Sequence, residues 1–306
     1  MKGGDHFMKI SNIYSKTNRP VLSFEIFPPK RKKNQTRKDF DTLLNTVDKL
    51  TTLNPDFISV TYGAGGTDSE GSFKVSKYIK DKGVVALPHF TSIGYPSQEI
   101  NSYLEDLGQD GFANILALRG DLPKEPSKAD MVWKDFLHAT DLIKIIKKEF
   151  PRFCIGGAAY PQGHQESNYD GKDIEVMKLK EEMGVEFFLT QLFFDNDKYL
   201  RFVETVKNHG VTAPIGAGVM PLMSPKFVDK ILKLSGATLH KELHQTLDKY
   251  RDDEEEFLKR TIDFCIRQVN DLIERGVDGI HLYTMNKYHP VKKIINNLDI
   301  KTAVNT

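Results

Sequence analysis

Eight short apolar or β-branched segments, separated from one another by helical patterns, constrain this chain more than any other feature. They are Val21–Phe27, Phe57–Tyr62, Val84–Phe90, Ala113–Arg119, Phe153–Tyr160, Glu186–Phe193, Ala213–Met220 and Gly279–Thr284. Each has the length of a strand. Between them apolar residues recur at i, i+3, i+4 and i+7, as in Phe40, Leu43, Leu44, Val47 and Leu50, or Tyr199, Phe202, Val203 and Val206, the spacing of one helix face. Four of these helices stop at a glycine (Gly83, Gly184, Gly210, Gly276), which can take the left-handed conformation that ends a helix. Eight such units without a compositional break predict an α/β protein, a closed (β/α)8 TIM barrel. An open doubly wound sheet would favour a glycine-rich phosphate turn after its first strand. Here that strand runs into Phe27-Pro28-Pro29-Lys30.

The 306 residues suit one barrel of about 250 residues plus additions. Residues 1–20 read as a leader and first helix or loop, and 21–306 as the barrel. Met8 can serve as the natural start, with Met1–Phe7 an added leader. Ser224–Arg251 is surplus to the eight units and falls between strand seven and its long helix. It carries a short helix, Phe227–Leu234, then a polar stretch with His240 and His244, and suits a lid or an oligomer contact.

Composition removes several function classes. With 43 basic and 42 acidic residues the net charge is +1, so no global field for nucleic acid is present. Two cysteines, Cys154 and Cys265, cannot build a disulfide framework or a four-cysteine zinc site; both read as buried free thiols, suited to a reducing cytosol. No run approaches the roughly 18 apolar residues of a membrane helix. The expectation is a soluble cytoplasmic protein with small-molecule partners, assembled as a homo-oligomer.

A barrel carries its active site at the C-terminal ends of its strands, and alternation decides which side chains face inward. In strand one Leu22, Phe24 and Ile26 should face the helices, leaving Val21, Ser23 and Glu25 inside. A buried carboxylate is either paired for structure or used as a proton donor, and Glu25 fits both. His89 faces inward from strand three, as a hydrogen-bonded core residue or a site residue. Arg119 ends strand four, and Asp121 opens the next loop; they can pair with each other or hold an anionic cofactor and a polar ring. Strand five ends at Tyr160, with His164 beyond. Its Gly156, Gly157, Ala158 and Ala159 leave room for a flat ring. Gln191 ends strand six facing inward, with a donor and an acceptor for a heterocycle edge. Lys30-Arg31-Lys32-Lys33 is a solvated loop or an attractor for an anionic tail. No metal-ligand spacing appears, nor a nucleophile elbow. The lone Trp133 argues against a glycosidase mouth.

These residues, taken together, resemble methylenetetrahydrofolate reductase of the prokaryotic, catalytic-domain-only type. The matching segments are Ser23–Lys30, Ser59–Ala64, Pro88–Thr91, Leu118–Pro123, Ala158–Pro161, Thr190–Asp195 and Leu282–Asn286, in family order. The resemblance implies FAD as cofactor and reduction of 5,10-methylenetetrahydrofolate to 5-methyltetrahydrofolate by NADH or NADPH in ping-pong order, within one-carbon metabolism leading to methionine. It implies Glu25 as general acid, Asp121 as the carboxylate beside flavin and folate, and Gln191 as the amide contacting substrate. It implies Thr61, Tyr62, Ala64, His89, Arg119, Gly120, Asp121, Tyr160, His164, Asp173 and Lys180 as flavin contacts. Phe227 is the candidate for an aromatic stacking on nicotinamide or pterin. Lys287 stands where the family commonly has arginine, and cannot make the same planar bidentate contact. Two other classes stay open: a flavin barrel of the proline dehydrogenase type, and a flavin- or folate-binding subunit fed by a partner protein's electrons.

Overall fold

Period-two alternation along the strands sorts the side chains into two layers, and the computed structural model of the chain shows both. It describes residues 8–29, 37–62, 69–93, 95–120, 138–164 and 171–300. The eight strands are β1 (Val21–Ile26), β2 (Phe57–Val60), β3 (Val85–Thr91), β4 (Asn114–Leu118), β5 (Cys154–Ala159), β6 (Val185–Thr190), β7 (Ile215–Val219) and β8 (Gly279–Tyr283). All pair in parallel and close in sequence order, β8 returning to β1 through Val21↔Gly279 to Glu25↔Tyr283. The chain is a single (β/α)8 barrel, as the alternation predicts.

The helices are α1 (Ile10–Lys16), α2 (Arg37–Thr51), α3 (Ser69–Asp81), α4 (Ser97–Gln109), α5 (Ala139–Glu149), α6 (Lys172–Glu182), α7 (Asn196–Asn208), α8 (Val228–Ser235), α9 (Lys241–Tyr250), α10 (Glu254–Glu274) and α11 (Tyr288–Ile295). Leu22, Phe24 and Ile26 join Leu43, Val47 and Leu50 of α2 in the main core between barrel and helices. The four helix-ending glycines all have positive φ, from 74° to 111°. No described helix is long and apolar enough to cross a membrane.

The barrel interior is graded. Its lower part is apolar, built from Val21, Phe57, Leu87, Leu116, Cys154, Phe187 and Leu189. Helix α1 closes this end with Ile10 and Ile13, held where Asn114 accepts from the Ile10 amide at 2.8 Å and donates to the Met8 carbonyl at 2.9 Å. The upper part is polar, and Ser23, Glu25, Ser59, His89 and His281 are all buried there. Both cysteines are free and buried, and burial pushes their thiols up to about 11 at Cys154 and about 12 at Cys265. They are inert as nucleophiles at neutral pH.

Two expectations change. The small residues of β5 do not leave an open slot. A side chain at Gly156 would meet Phe187 at 2.5 Å, and one at Gly157 would meet Phe188 at 2.9 Å; interiors pack to crystal density, so neighbouring rings fill what glycine vacates. Ala158 lines a cavity on the side of α5 and α6. The polar stretch around His240 and His244 is a second helix, α9. Its Leu243, Thr246 and Leu247 are buried, and the two leucines pack with Val228, Phe257, Met220 and Leu222 in a satellite core.

Candidate active site at the barrel mouth

Glu25 lies inside the barrel, 6% exposed. Its Oε2 is 3.3 Å from His281 Nε2. The other ring nitrogen, Nδ1, is 2.8 Å from Ser23 Oγ, and that hydroxyl also reaches the Ile280 carbonyl at 3.3 Å. Two arrangements fit these distances. With Glu25 protonated, the carboxyl donates to Nε2, Nδ1–H donates to Ser23 Oγ, and the hydroxyl donates to Ile280. With Glu25 ionised, Nε2–H donates to the carboxylate and the Ser23 hydroxyl donates to Nδ1. The cluster therefore satisfies Glu25 in either protonation state, which a buried acid must have if it is to give up and regain a proton.

His89 completes the chamber. Its Nε2 is 3.6 Å from Glu25 Oε2, too far for a hydrogen bond, and has no hydrogen-bond partner among the described residues. Burial pushes the His89 imidazole down to about 4, against the upward pull of Glu25; it is neutral at pH 7. The unfolded chain thus binds a proton near the ordinary 6.5 that the folded chain refuses. This contribution is absent above that value, destabilises the fold progressively as pH falls toward about 4, and then levels off at about 3 kcal/mol. We expect His89→Gln to lose less stability than the unsubstituted protein between pH 7 and pH 4.5 in urea unfolding. Equal losses would show that His89 is not the acid-sensitive group.

Strand β8 also fixes Glu25 from outside. The Thr284 hydroxyl donates to the Glu25 carbonyl at 2.6 Å. Met285 and Asn286 then take φ of 50° and 55°, a conformation that costs a non-glycine residue roughly 1–2 kcal/mol, with Asn the more tolerant. Tyr283 donates to the Thr190 carbonyl at 2.9 Å.

A cavity of about 400 Å3 opens at the C-terminal ends of β4 and β5, between them and α5 and α6. Six of the expected flavin-contacting residues line it: Arg119, Gly120, Tyr160, His164, Asp173 and Lys180. The Tyr160 and His164 rings meet edge to face at 4.6 Å. The His164 amide donates to Asp173 at 2.9 Å. The Lys180 ammonium donates to the Ala158 carbonyl at 3.1 Å, and burial pushes it down to about 8 although Asp173 opposes the shift. At Gly120, φ is +93° and a side chain would meet Ile93 at 2.6 Å and Thr91 at 2.9 Å, so this turn requires glycine. A groove of about 1000 Å3 continues from the same Tyr160, His164 and Asp173 toward Lys198 and Arg201. Cationic side chains, an aromatic wall and apolar Leu118 and Val176 in a cavity this size fit a flavin dinucleotide.

The other expected site residues lie elsewhere. Tyr62 is buried among Phe90, Tyr95 and Tyr103, with its hydroxyl 3.1 Å from that of Tyr95. Thr61 is half-buried at the end of β2, its amide donating to the Ile26 carbonyl. Gln191 follows β6, and its Oε1 accepts from the Leu192 amide at 2.8 Å, which leaves its NH2 as the group able to donate outward. Phe227 is 57% exposed at the start of α8. Lys287 is exposed and precedes α11. Asp121, Ala64, Trp133 and the Lys30–Lys33 run lie outside the described residues. His281, Thr284 and Asn286 were not singled out from sequence; alternation along β8 would have placed His281 inward.

A model of the methylenetetrahydrofolate reductase family matches residues 9–299. Methylenetetrahydrofolate reductase 1 of Schizosaccharomyces pombe is 33% identical over 287 residues, covering 92% of this chain and 46% of that protein. The 5,10-methylenetetrahydrofolate reductase of Escherichia coli is 32% identical over 284 residues, covering 92% of each chain. The chain thus spans about half of the yeast relative and nearly all of the bacterial one. A solved structure of an uncharacterized Clostridium thermocellum protein that binds two copies of 5-methyl-5,6,7,8-tetrahydrofolic acid is also similar. It has a TM-score of 0.67 over 94% of this chain and 96% of its own, at 18% identity, which shows a shared fold.

Proposed function

The chain belongs to the methylenetetrahydrofolate reductase family, and from that premise we propose that it reduces 5,10-methylenetetrahydrofolate to 5-methyltetrahydrofolate in the cytoplasm, with FAD bound in the mouth cavity and a reduced nicotinamide as electron donor. The observation that carries this reading is Glu25: a carboxyl buried inside the barrel with His281 Nε2 at 3.3 Å, so that it has a hydrogen-bond partner in either protonation state. Bound there, FAD would accept hydride from the nicotinamide and return it to the one-carbon unit of the folate, the two ligands taking turns.

The chain's own residues supply proton, position and charge. Protonated Glu25 gives its proton to N10 of the folate. The bond between N10 and the methylene carbon breaks, its electrons staying on N10, and the carbon remains on N5 as an iminium cation that accepts hydride. Glu25 is left as a carboxylate, 3.3 Å from His281 Nε2. The Gln191 amide donates to the pterin edge. The carboxylate of Asp121 would favour the iminium cation. Lys180 and Arg119, which line the cavity, would hold the cofactor's phosphates. Phe227 covers the bound ring, and Lys287 attracts the anionic end of the folate.

The test is a visible spectrum of the purified protein, repeated after anaerobic addition of NADH and, separately, NADPH. The expected result is a flavin spectrum that bleaches with one of them and returns on adding 5,10-methylenetetrahydrofolate. A flavin that neither nicotinamide bleaches would make the donor a protein. No flavin after incubation with FAD would overturn the cofactor assignment.

A further inference from the structure

The backbone that carries Glu25 is held by a side chain acting as a substitute peptide. The β1–β8 ladder ends at the pair Glu25↔Tyr283. One residue past Glu25's neighbour, the Asn286 side chain continues it. Its Oδ1 accepts from the Phe27 amide at 3.0 Å, and its Nδ2 donates to the Phe27 carbonyl at 2.7 Å. In a parallel ladder these two backbone groups would bond to two residues flanking the partner; here one side chain serves both. Thr284 joins the same clamp. Its hydroxyl donates to the Glu25 carbonyl at 2.6 Å and accepts from the Asn286 amide at 3.2 Å. On the other side, the Thr61 amide donates to the Ile26 carbonyl at 3.0 Å. Every backbone carbonyl from Glu25 to Phe27 is therefore held.

The clamp is maintained against conformational preference. Met285 and Asn286 both lie in the left-handed region, at φ 50° and 55°. Two such non-glycine residues in succession precede the amide group that meets the Phe27 backbone. Strain of this kind persists where surrounding structure over-determines it, and it gathers at functional sites. Here its outcome is a fixed backbone at the one position whose side chain must reach a substrate nitrogen.

We infer that Asn286, with Thr284, is a positioning residue for the Glu25 acid: the Asn286–Phe27 amide pair sets where the Glu25 carboxyl sits relative to bound folate. The inference rests on the proposed function and adds a residue to it. Neither side chain needs to touch substrate for this. A displacement of about 1 Å at a reacting group can cost about 10²-fold in rate, and among the described residues the Glu25 carboxyl is held by one hydrogen bond, to His281 at 3.3 Å.

Asn286→Gly isolates the two bonds, because glycine takes the same φ without strain. Stopped-flow measurement of both half-reactions in the flavin-loaded protein should show folate reduction slowed by about 10²-fold, with flavin reduction by the nicotinamide unchanged. Thr284→Val should slow the same half-reaction, and Thr284→Ser should restore it. A readout independent of turnover is the 15N spectrum of His281, whose Nε2 faces Glu25; its signals should move in Asn286→Gly and stay in Thr284→Ser. Asn286→Gly with an unaltered folate half-reaction and unaltered His281 signals would overturn the inference. So would equal loss in both half-reactions, which marks a general structural role. If the unsubstituted protein reduces no folate, the proposed function fails instead, and the His281 signals alone still decide whether the clamp sets the carboxyl.

Discussion

Glu25→Gln should leave flavin binding and flavin reduction by the nicotinamide intact while slowing folate reduction by about 10³-fold, the usual contribution of a positioned general acid. Glutamine has the shape of glutamic acid, and its amide can donate to His281 Nε2 from the same 3.3 Å position. The chamber therefore keeps its hydrogen bonds and the loss falls on the proton alone. Single-turnover measurement of each half-reaction separates the two effects. Equal slowing of both would remove Glu25 from the acid role and make it a structural member of the polar interior.

Gly218→Ala is the largest stability effect expected from one methyl group. Both inward-facing positions of β7 are glycines. At Gly216 a Cβ would meet Leu189 and the Tyr14 hydroxyl at 2.8 Å, ends of side chains that can shift. At Gly218 it would lie 2.2 Å from the Thr190 carbonyl oxygen and 3.0 Å from the Tyr283 ring. That carbonyl already accepts from Tyr283, while the Thr190 hydroxyl accepts from the Gly218 amide at 2.8 Å. Neither partner can retreat without opening the seam between β6 and β7, so the substitution should destabilise by about 3 kcal/mol, the upper range of overpacking. Urea unfolding beside Gly83→Ala provides the comparison. Gly83 has a φ of +81° and nothing within 4 Å, so its substitution costs only backbone strain, about 1 kcal/mol. Equal costs at the two positions would contradict this packing.

Much of this was legible in the chain. Alternation in β1 separates Leu22, Phe24 and Ile26, which pack on the helices, from Glu25, which sits inside. The same rule along β8 places Gly279, His281 and Tyr283 inward, so the partner of Glu25 was readable wherever the rule was applied. What lay beyond reach has physical reasons. Thr284 and Asn286 follow the last strand residue, where two left-handed residues break the period; pattern has no hold there. The glycines of β5 mark space without saying what occupies it, and Phe187 from the next strand does. Helix α9 has a narrow apolar stripe, Leu243 and Leu247, amid His244, Gln245, Asp248 and Lys249, and a polar majority hides a surface helix whose one face is buried by tertiary packing. The cofactor cavity is assembled from β4, β5, α5 and α6; its residues are scattered from Arg119 to Lys180, and only closure of the barrel brings them together.

The central claim is the folate reaction itself. The most direct measurement is product analysis after anaerobic incubation of the flavin-loaded protein with a reduced nicotinamide and 5,10-methylenetetrahydrofolate. The account predicts 5-methyltetrahydrofolate in equal amount to the nicotinamide oxidised. Nicotinamide oxidised only when oxygen is admitted, with no 5-methyl product, would contradict it.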